Sequence, residues 1–224
     1  MEFVVIEGLD GSGKSTQIKM LRSYLELKNV KYQYLHFPRT DSPVYGDLIS
    51  RFLRGELGEN NSINPYLIAM IYAGDRANAG NMLRKWKEEG FFILVDRYVL
   101  SNIAYQGAKI SLPEDQMKLK NWILDLEYKY NNIPVPDVNI FLDVPFKFTE
   151  KQLTKPRIGE DRNYLLGNRD IHEEDLEFQK RVREIYISLS SEQDDLKIIN
   201  CYSSEGIILT PDEIFEKILK QIFI

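Results

Sequence analysis

The most informative segment of the chain is Gly8-Leu9-Asp10-Gly11-Ser12-Gly13-Lys14-Ser15. It matches the pattern G-x-x-x-x-G-K-[ST], whose glycines let backbone N–H groups point at phosphate oxygens. An apolar run at residues 3–6 precedes it, and a stretch with helical spacing at residues 16–28 follows it. Phosphate binding at the start of a helix requires this order of strand, loop and helix. The pattern therefore predicts a nucleotide-phosphate site.

Two side chains of this loop have predicted roles in phosphate chemistry. Lys14 would reach the β- and γ-phosphates of ATP and act in catalysis, and the Ser15 hydroxyl would ligate magnesium. The predicted ATP-binding residues are Gly8, Leu9, Asp10, Gly11, Ser12, Gly13, Lys14, Ser15 and Thr16. A dinucleotide fingerprint is excluded, because Thr16 stands where that motif needs a third glycine. The loop predicts phosphoryl chemistry and leaves the acceptor open.

Outside the loop, short apolar runs rich in Val, Ile and Phe alternate with longer stretches of helical spacing. The runs lie at residues 3–6, 34–37, 91–95, 138–144 and 197–201. Strands covered by helices on both faces are apolar throughout rather than alternating, as these are. The sequence therefore predicts an α/β protein with the P-loop kinase fold, in which helices flank a five-stranded parallel sheet.

Three proline-containing signals indicate where helices begin. Ser42-Pro43 and Thr210-Pro211 each place a capping residue before a proline, and Leu112-Pro113 introduces another acidic first turn. Residues 155–170 differ, since they hold glycines and arginines without an apolar period. We expect a mobile loop there.

Composition limits the classes of function. With 224 residues, 43% of them apolar, and no linker-like segment, the chain is predicted to form one domain over residues 1–224. A net charge of −5 argues against binding nucleic acid, which needs clustered basic residues. Cys201 is the only cysteine, so a reducing cytoplasm is expected. No signal peptide or membrane span is expected, because apolar runs are short.

Further motifs carry a resemblance to a known family. They are Glu7 to Gln17 around the phosphate loop, Phe37-Pro38-Arg39, Asp75-Arg76, and Asp96-Arg97-Tyr98 followed by Ser101-Asn102 and Ala104-Tyr105-Gln106. In order and spacing the chain resembles thymidylate kinase. The resemblance implies phosphorylation of dTMP to dTDP with ATP and magnesium, a homodimer, and a short arginine-bearing lid at about residues 155–171.

The resemblance also implies an acceptor site. Asp10 would accept a hydrogen bond from the 3′-hydroxyl of dTMP, while Arg39 and Arg97 would grip its phosphate, with Arg97 also acting in catalysis. The base pocket would consist of Phe37, Tyr72, Arg76, Asn102 and Tyr105, with Tyr72 stacking on thymine where the family usually has Phe. Each residue has a structural alternative: an acidic turn residue for Asp10, solvated charge for the arginines, and core packing for the aromatic rings.

Two acidic residues are candidates for the magnesium site. Asp96 and Asp143 each end an apolar run, so both would lie at the carboxyl edge of a parallel sheet, where ligands bind. The resemblance favours Asp96, acting through water, beside Ser15.

The transition state of phosphoryl transfer needs positive charge near the transferred group. Some thymidylate kinases carry an arginine directly after the acidic loop residue, where this chain has Gly11. The candidates are therefore the lid residues Arg157, Arg162 and Arg169. The family's Asp-Arg order is reversed at Arg169-Asp170, which leaves the responsible arginine open. His36 and His172 lack ligand partners at metal spacing, so we expect structural roles for them.

Two other functions remain open from the sequence. One is a kinase of a different nucleoside or nucleoside monophosphate. The two arginines predicted to bind the acceptor phosphate favour a monophosphate over a nucleoside. The other is a P-loop regulatory ATPase, which would replace the acceptor pocket by a water-positioning residue and a partner surface.

Overall fold

Five strands form one parallel sheet in the computed structural model, which describes residues 2–153, 160–168 and 170–223, with the side chains of residues 160–162 and 174 outside that description. The strands are β1 (Phe3–Gly8), β2 (Tyr32–His36), β3 (Phe92–Asp96), β4 (Val138–Asp143) and β5 (Leu196–Asn200). Their order is β2-β3-β1-β4-β5, and all neighbours pair in parallel. The predicted strands are confirmed, with ends that shift by at most two residues.

Helices cover both faces of this sheet. They are α1 (Lys14–Leu27), α2 (Tyr45–Leu53), α3 (Pro65–Glu88), α4 (Val99–Gly107), α5 (Pro113–Leu124), α6 (Phe146–Leu153), α7 (Ile171–Glu174), α8 (Leu176–Leu189) and α9 (Pro211–Ile222). A π-helix, Asp125–Tyr130, continues α5, and a 3-10 helix spans Glu160–Leu165. In the described part of the chain, no helix is both long and apolar enough to cross a membrane.

The alternation of side chains along the strands divides the core into two layers. Val4 and Ile6 of β1 pack with α1 and α9, whereas Phe3 and Val5 pack with α3, α4, α5 and α8. Successive residues of a strand point to opposite faces, so a strand buried on both sides has to be apolar at nearly every position. This explains the continuous apolar runs in the sequence.

The strand order places a crevice at the carboxyl ends of β1 and β3. After β1 the chain runs toward β2, at one edge of the sheet. After β3 it runs toward β4, in the opposite direction across the sheet. Ligands bind at such a switch point in open α/β sheets. The loops that follow β1, β2 and β3 meet there, and they carry most of the residues singled out in the sequence.

Two of the three helix starts predicted from proline signals are confirmed. Thr210 caps α9 in a reciprocal capping box with Glu213, and α5 begins at Pro113. The third is wrong, because α2 begins at Tyr45 rather than after Ser42. The Ser42 hydroxyl instead donates to the Asp75 carboxylate over 3.1 Å, so it is not available to cap a helix.

The predicted loop at residues 155–170 is partly corrected. Its described portion includes the 3-10 helix, which buries Leu165 and lets the Tyr164 hydroxyl donate to Asp170 over 2.9 Å. A single short 3-10 helix needs no apolar period, so the sequence pattern could not reveal it. Arg157 and Arg169 lie outside the described residues, as does the side chain of Arg162.

Candidate active site

The phosphate loop curls tightly between β1 and α1. Gly13 caps α1 with φ 88°, and Gly11 has φ 74°, a left-handed conformation that costs other residues strain. The N–H groups of Thr16 and Gln17 both donate to the Gly13 carbonyl, which starts the helix directly after the loop. The helix dipole therefore points its positive end at the loop, as phosphate binding requires.

Lys14 lies folded against this loop. Its ammonium group donates to the carbonyl oxygens of Gly8, over 3.2 Å, and Leu9, over 3.0 Å. Burial and the nearby Arg97 guanidinium lower the pKa of Lys14 to about 8. An ammonium group held by backbone carbonyls can turn to bind anionic phosphate oxygens.

Asp96 faces the loop from the end of β3. Its Oδ2 lies 3.1 Å from His36 Nδ1, while its buried Oδ1 has no hydrogen-bond partner among the described residues. Burial alone would raise the pKa of this carboxyl group, but the hydrogen bond from His36 and the charges of Lys14 and Arg97 lower it. An ionised carboxylate with an unused oxygen, beside Ser15 in one cavity, suits a hard cation.

Asp143, the alternative magnesium candidate, is engaged elsewhere. Arg183 donates to both of its oxygens over 2.5 and 2.7 Å, and the Tyr202 hydroxyl donates to Oδ2 over 3.1 Å. Asp143 does not line the cavity that holds Asp96. These bonds favour a structural role, in which Asp143 ties α8 to the end of β4.

Asp10 joins the phosphate loop to the opposite side of the cavity. Its Oδ1 accepts from Arg97 over 2.7 Å, and its Oδ2 accepts from the Tyr105 hydroxyl over 2.9 Å and from Gln179 over 3.2 Å. The Arg97 guanidinium also lies over the Tyr105 ring, 5.1 Å from its centroid. The residues predicted to hold the acceptor sugar and phosphate are therefore in direct contact.

The backbone that carries Arg97 is held by a buried carboxylate. Arg97 has φ 63°, a rare conformation for a residue with a side chain. Glu7 of β1 accepts from the Tyr98 N–H over 2.9 Å, from the Ser101 hydroxyl over 2.6 Å and from the Tyr186 hydroxyl over 2.8 Å. These bonds fix the turn between β3 and α4, and with it the direction of Arg97.

Arg39 is held by a second buried carboxylate. Asp75 of α3, which has no exposed surface, accepts from the Arg39 N–H over 2.8 Å and from its Nε over 2.9 Å. The Asp75 carbonyl accepts from Nη2 over 2.7 Å. These three hydrogen bonds from Arg39 to Asp75 fix both the backbone and the guanidinium of Arg39. The loop after β2 therefore presents Arg39 in one orientation.

The predicted base-pocket residues line the same cavity as the phosphate loop. Its volume is about 1100 Å³, and its walls include Phe37, Tyr72, Arg76, Asn102 and Tyr105. Tyr72 and Arg76 face it from one side of α3, as their spacing predicts. Every other predicted residue with a described side chain also lines it, except Gly8, Leu9 and Thr16.

On the lid side of the cavity, the pKa of Asp170 is raised and the pKa of His172 is lowered. Burial and the charge of Asp10 raise the pKa of Asp170 to about 7, although His172 N–H and the Tyr164 hydroxyl bond it. His172 packs against the rings of Tyr105 and Phe178, and burial together with Lys109 lowers its pKa to about 3. The helix-start position predicted for His172 is confirmed, but the side chain is buried and neutral.

Sequence reasoning assigned no role to the buried acidic residues behind the site. These are Glu7, Asp75 and Glu127, each without exposed surface. A signal existed for Glu127, because it continues the buried stripe of Leu119 and Ile123 at intervals of four residues. A charged residue on an apolar stripe requires a buried partner. The partner itself, far away in sequence, could not be identified from spacing.

The fold and the cavity together define a P-loop phosphotransferase with an acceptor pocket beside its phosphate loop. The family model described as thymidylate kinase matches residues 6–210. The chain is similar to the thymidylate kinase of Plasmodium falciparum, at 30% identity over 83% of this chain and 75% of that protein. It is also similar to the probable thymidylate kinase of Pyrococcus horikoshii, at 31% identity over 90% of this chain and 89% of that protein.

A solved structure agrees with the fold. The thymidylate kinase from Candida albicans superposes with a TM-score of 0.71, covering 99% of this chain and 90% of that chain, at 24% identity. The chain belongs to the thymidylate kinase family. Membership makes it a nucleoside monophosphate kinase that uses ATP, so the family and the fold predicted from the sequence are confirmed.

Proposed function

We propose that the chain transfers the γ-phosphoryl group of ATP to the phosphate of dTMP, forming dTDP and ADP in the synthesis of dTTP. One observation carries the proposal: a single cavity joins the phosphate loop to a pocket of arginines and aromatic rings. A regulatory ATPase would need only the first part. A kinase needs both, because the acceptor has to be held in line with the transferred group.

On the acceptor side, Arg39 and Arg97 bind the dTMP phosphate and Asp10 accepts from the 3′-hydroxyl. The support is their common place in the cavity and the fixed direction of both guanidiniums, set by Asp75 and Glu7. Two planar guanidiniums suit a dianionic phosphate, since each offers paired donors. A nucleoside without a phosphate would make no use of these guanidinium donors, which favours a monophosphate acceptor.

Around the base, Tyr72 stacks on thymine and Arg76 donates to a ring carbonyl. Phe37, Asn102 and Tyr105 complete the pocket. The rings of Phe37 and Tyr105 are almost fully buried, so they offer rigid apolar walls. The hydroxyl of Tyr72 makes no hydrogen bond to the described residues, and it therefore remains able to donate to a substrate or to the lid.

On the donor side, the loop N–H groups and Lys14 bind the ATP phosphates, and the Ser15 hydroxyl with the Asp96 carboxylate holds Mg²⁺. The support for the metal is the ionised Asp96 carboxylate, one oxygen of which has no partner in the described residues. Bound there, Mg²⁺ would neutralise charge on the phosphates. Few protein ligands are needed, because Mg²⁺ usually keeps waters and phosphate oxygens.

The lid supplies charge to the transition state. Gly11 leaves the phosphate loop without an arginine there, so Arg157, Arg162 and Arg169 are the proposed donors, in catalysis with Lys14 and Arg97. Support comes from the described part of the lid, since Tyr164 and Asp170 line the cavity. A single domain spanning residues 1–224 would then close its lid over both substrates.

The proposed assembly is a cytoplasmic homodimer. Helix α3 exposes about half of the Leu67 and Met70 side chains, and α5 exposes Met117. Apolar side chains on neighbouring helices suit an isologous interface. Sedimentation of the protein and of a Met70→Glu variant would test this. A monomeric wild-type protein at micromolar concentration would contradict the proposal.

The function is tested by coupling ADP release to a spectroscopic assay with ATP and Mg²⁺. Release that depends on added dTMP supports the kinase. Release at the same rate without any acceptor supports the regulatory ATPase instead, and would overturn the proposal. A panel of deoxynucleoside monophosphates at equal concentration ranks the acceptors and tests the alternative of a different monophosphate.

A further inference from the structure

The buried carboxylate of Glu127 contacts two side chains of the proposed base pocket, Arg76 and Asn102. Its Oε1 accepts from Arg76 Nε over 2.9 Å and from Arg76 Nη2, and it accepts from Asn102 Nδ2 over 3.2 Å. Arg76 is 2% exposed and Glu127 is fully buried. Glu127 lies in the π-helix, a wide turn that is often found at functional sites.

The neighbours of Asn102 determine which way its amide points. Nδ2 lies 3.0 Å from the Ala69 carbonyl oxygen and 3.2 Å from Glu127 Oε1. Both neighbours are acceptors, so only the NH₂ group can occupy this side. Oδ1 is buried and has no partner among the described residues. Asn102, which lines the cavity, therefore offers an acceptor to a ligand and keeps its donors for the protein.

We propose that Glu127 is a positioning residue that fixes the hydrogen-bond polarity of the base pocket. It holds Asn102 as an acceptor and Arg76 as a donor, and so selects bases with an imide edge over amino-substituted bases. The inference rests on the proposed function, since it concerns the acceptor of that reaction. Glu127 acts by orienting Arg76 and Asn102, because it is buried behind these two residues, which line the cavity.

The selection follows from the chemistry of the base edge. Thymine and uracil present a carbonyl acceptor at O4 and a donor at N3–H, which complement Arg76 and the oxygen of Asn102. Cytosine presents a donor and an acceptor at the same two positions, so both contacts fail. A site built to hydrogen-bond one substrate group rejects an analogue without it strongly, because the buried polar groups are left unpaired.

The experiment measures kcat/KM for dUMP and dCMP, which differ only at this edge, in the full chain and in two variants. Glu127→Met removes the acceptor that Arg76 and Asn102 share and leaves Asn102 Nδ2 with the Ala69 carbonyl alone, so both side chains are held less firmly and the dUMP to dCMP ratio should fall roughly tenfold or more. Glu127→Gln retains an acceptor oxygen and should keep most of the ratio. Asp125→Asn, an exposed change in the same π-helix, is the matched control and should leave both values unchanged.

Several outcomes would overturn the inference. If Glu127 only stabilises the fold, Glu127→Met lowers the melting temperature and both values of kcat/KM together, and the ratio stays constant. Should Glu127→Met not fold, a structure of the wild-type protein with dUMP decides. Asn102 Oδ1 facing N3 supports the inference, and Nδ2 facing N3 contradicts it. Absence of dTMP turnover in the wild-type protein would instead refute the proposed function.

Discussion

The two walls of the cavity are built in different ways. On the donor wall, the phosphate loop is shaped by neighbours in sequence: Lys14 bonds Gly8 and Leu9, and Gly13 starts α1. On the acceptor wall, each arginine is held by a carboxylate from a distant element. Arg39 bonds Asp75, 36 residues away, and Arg76 bonds Glu127, 51 residues away.

The contrast shows which part of a site can be inferred from a local sequence pattern. A loop whose geometry depends on glycine conformations and a helix start is specified by a few consecutive residues. A wall of buried charges depends on pairs that only the fold brings together, and each charge needs its partner because burial without one is costly. Variants can test whether a change in one wall affects the kinetics for one substrate and leaves those for the other substrate unchanged.

The largest expected effect is on the donor wall. Lys14→Ala should lower kcat/KM for ATP by about 10³-fold or more, because it removes a preorganised charge at the transferred group. Steady-state kinetics with saturating dTMP measures this. Lys19→Ala, an exposed change on α1, is the control and should behave as the wild-type protein. A loss below tenfold for Lys14→Ala would contradict the assignment.

On the acceptor wall, Arg39→Ala should raise the KM for dTMP by about 10²-fold and leave the KM for ATP unchanged, because a charge-assisted bond to phosphate is lost. Asp75→Asn should raise the same KM by about tenfold, since an amide NH₂ would face an Arg39 donor. Arg51→Ala, exposed on α2, is the matched control. An unchanged KM for dTMP in Arg39→Ala would refute the role.

The pH dependence of ATP binding tests the donor wall independently of the acceptor wall. The pKa of Lys14 is lowered to about 8, so the free protein loses this ammonium as pH rises through 8. We expect kcat/KM for ATP to fall about tenfold per pH unit above that value. Lys109→Met removes another lysine with a lowered pKa, about 7, and should keep this alkaline limb. A flat profile to pH 10 would contradict the expectation.

The smallest effect concerns stability in the phosphate loop. Gly11→Ala places a side chain at φ 74°, and its Cβ would lie 2.9 Å from Gln152 Cβ. Gly167 has φ 86°, and no atom of the described residues lies within 4 Å of the Cβ that alanine would add, so Gly167→Ala measures the cost of conformation among these residues. Each should lose about 1 kcal/mol, and Gly11→Ala more, shifting Tm by a further ~2–4 °C. Equal melting temperatures for the two variants would exclude the steric contribution.

The fold was largely predictable from the sequence, since the apolar runs, helical stretches and phosphate loop are all local signals. The capping box of Thr210 and Glu213 was predictable for the same reason, whereas Ser42 was misassigned because its hydroxyl bonds the distant Asp75. The site residues were proposed through family motifs, and their roles remain predictions. The buried carboxylates behind them depend on long-range pairing, which spacing along the chain does not encode.

If one cavity joins ATP to a nucleoside monophosphate, the identity of the phosphorylated product reveals it. The purified chain is incubated with ATP, Mg²⁺ and either dTMP or thymidine, and the products are separated by anion-exchange chromatography. We expect stoichiometric dTDP and ADP from dTMP and no product from thymidine. Phosphorylation of thymidine with dTMP left unchanged, or ADP formation without dTDP, would contradict it.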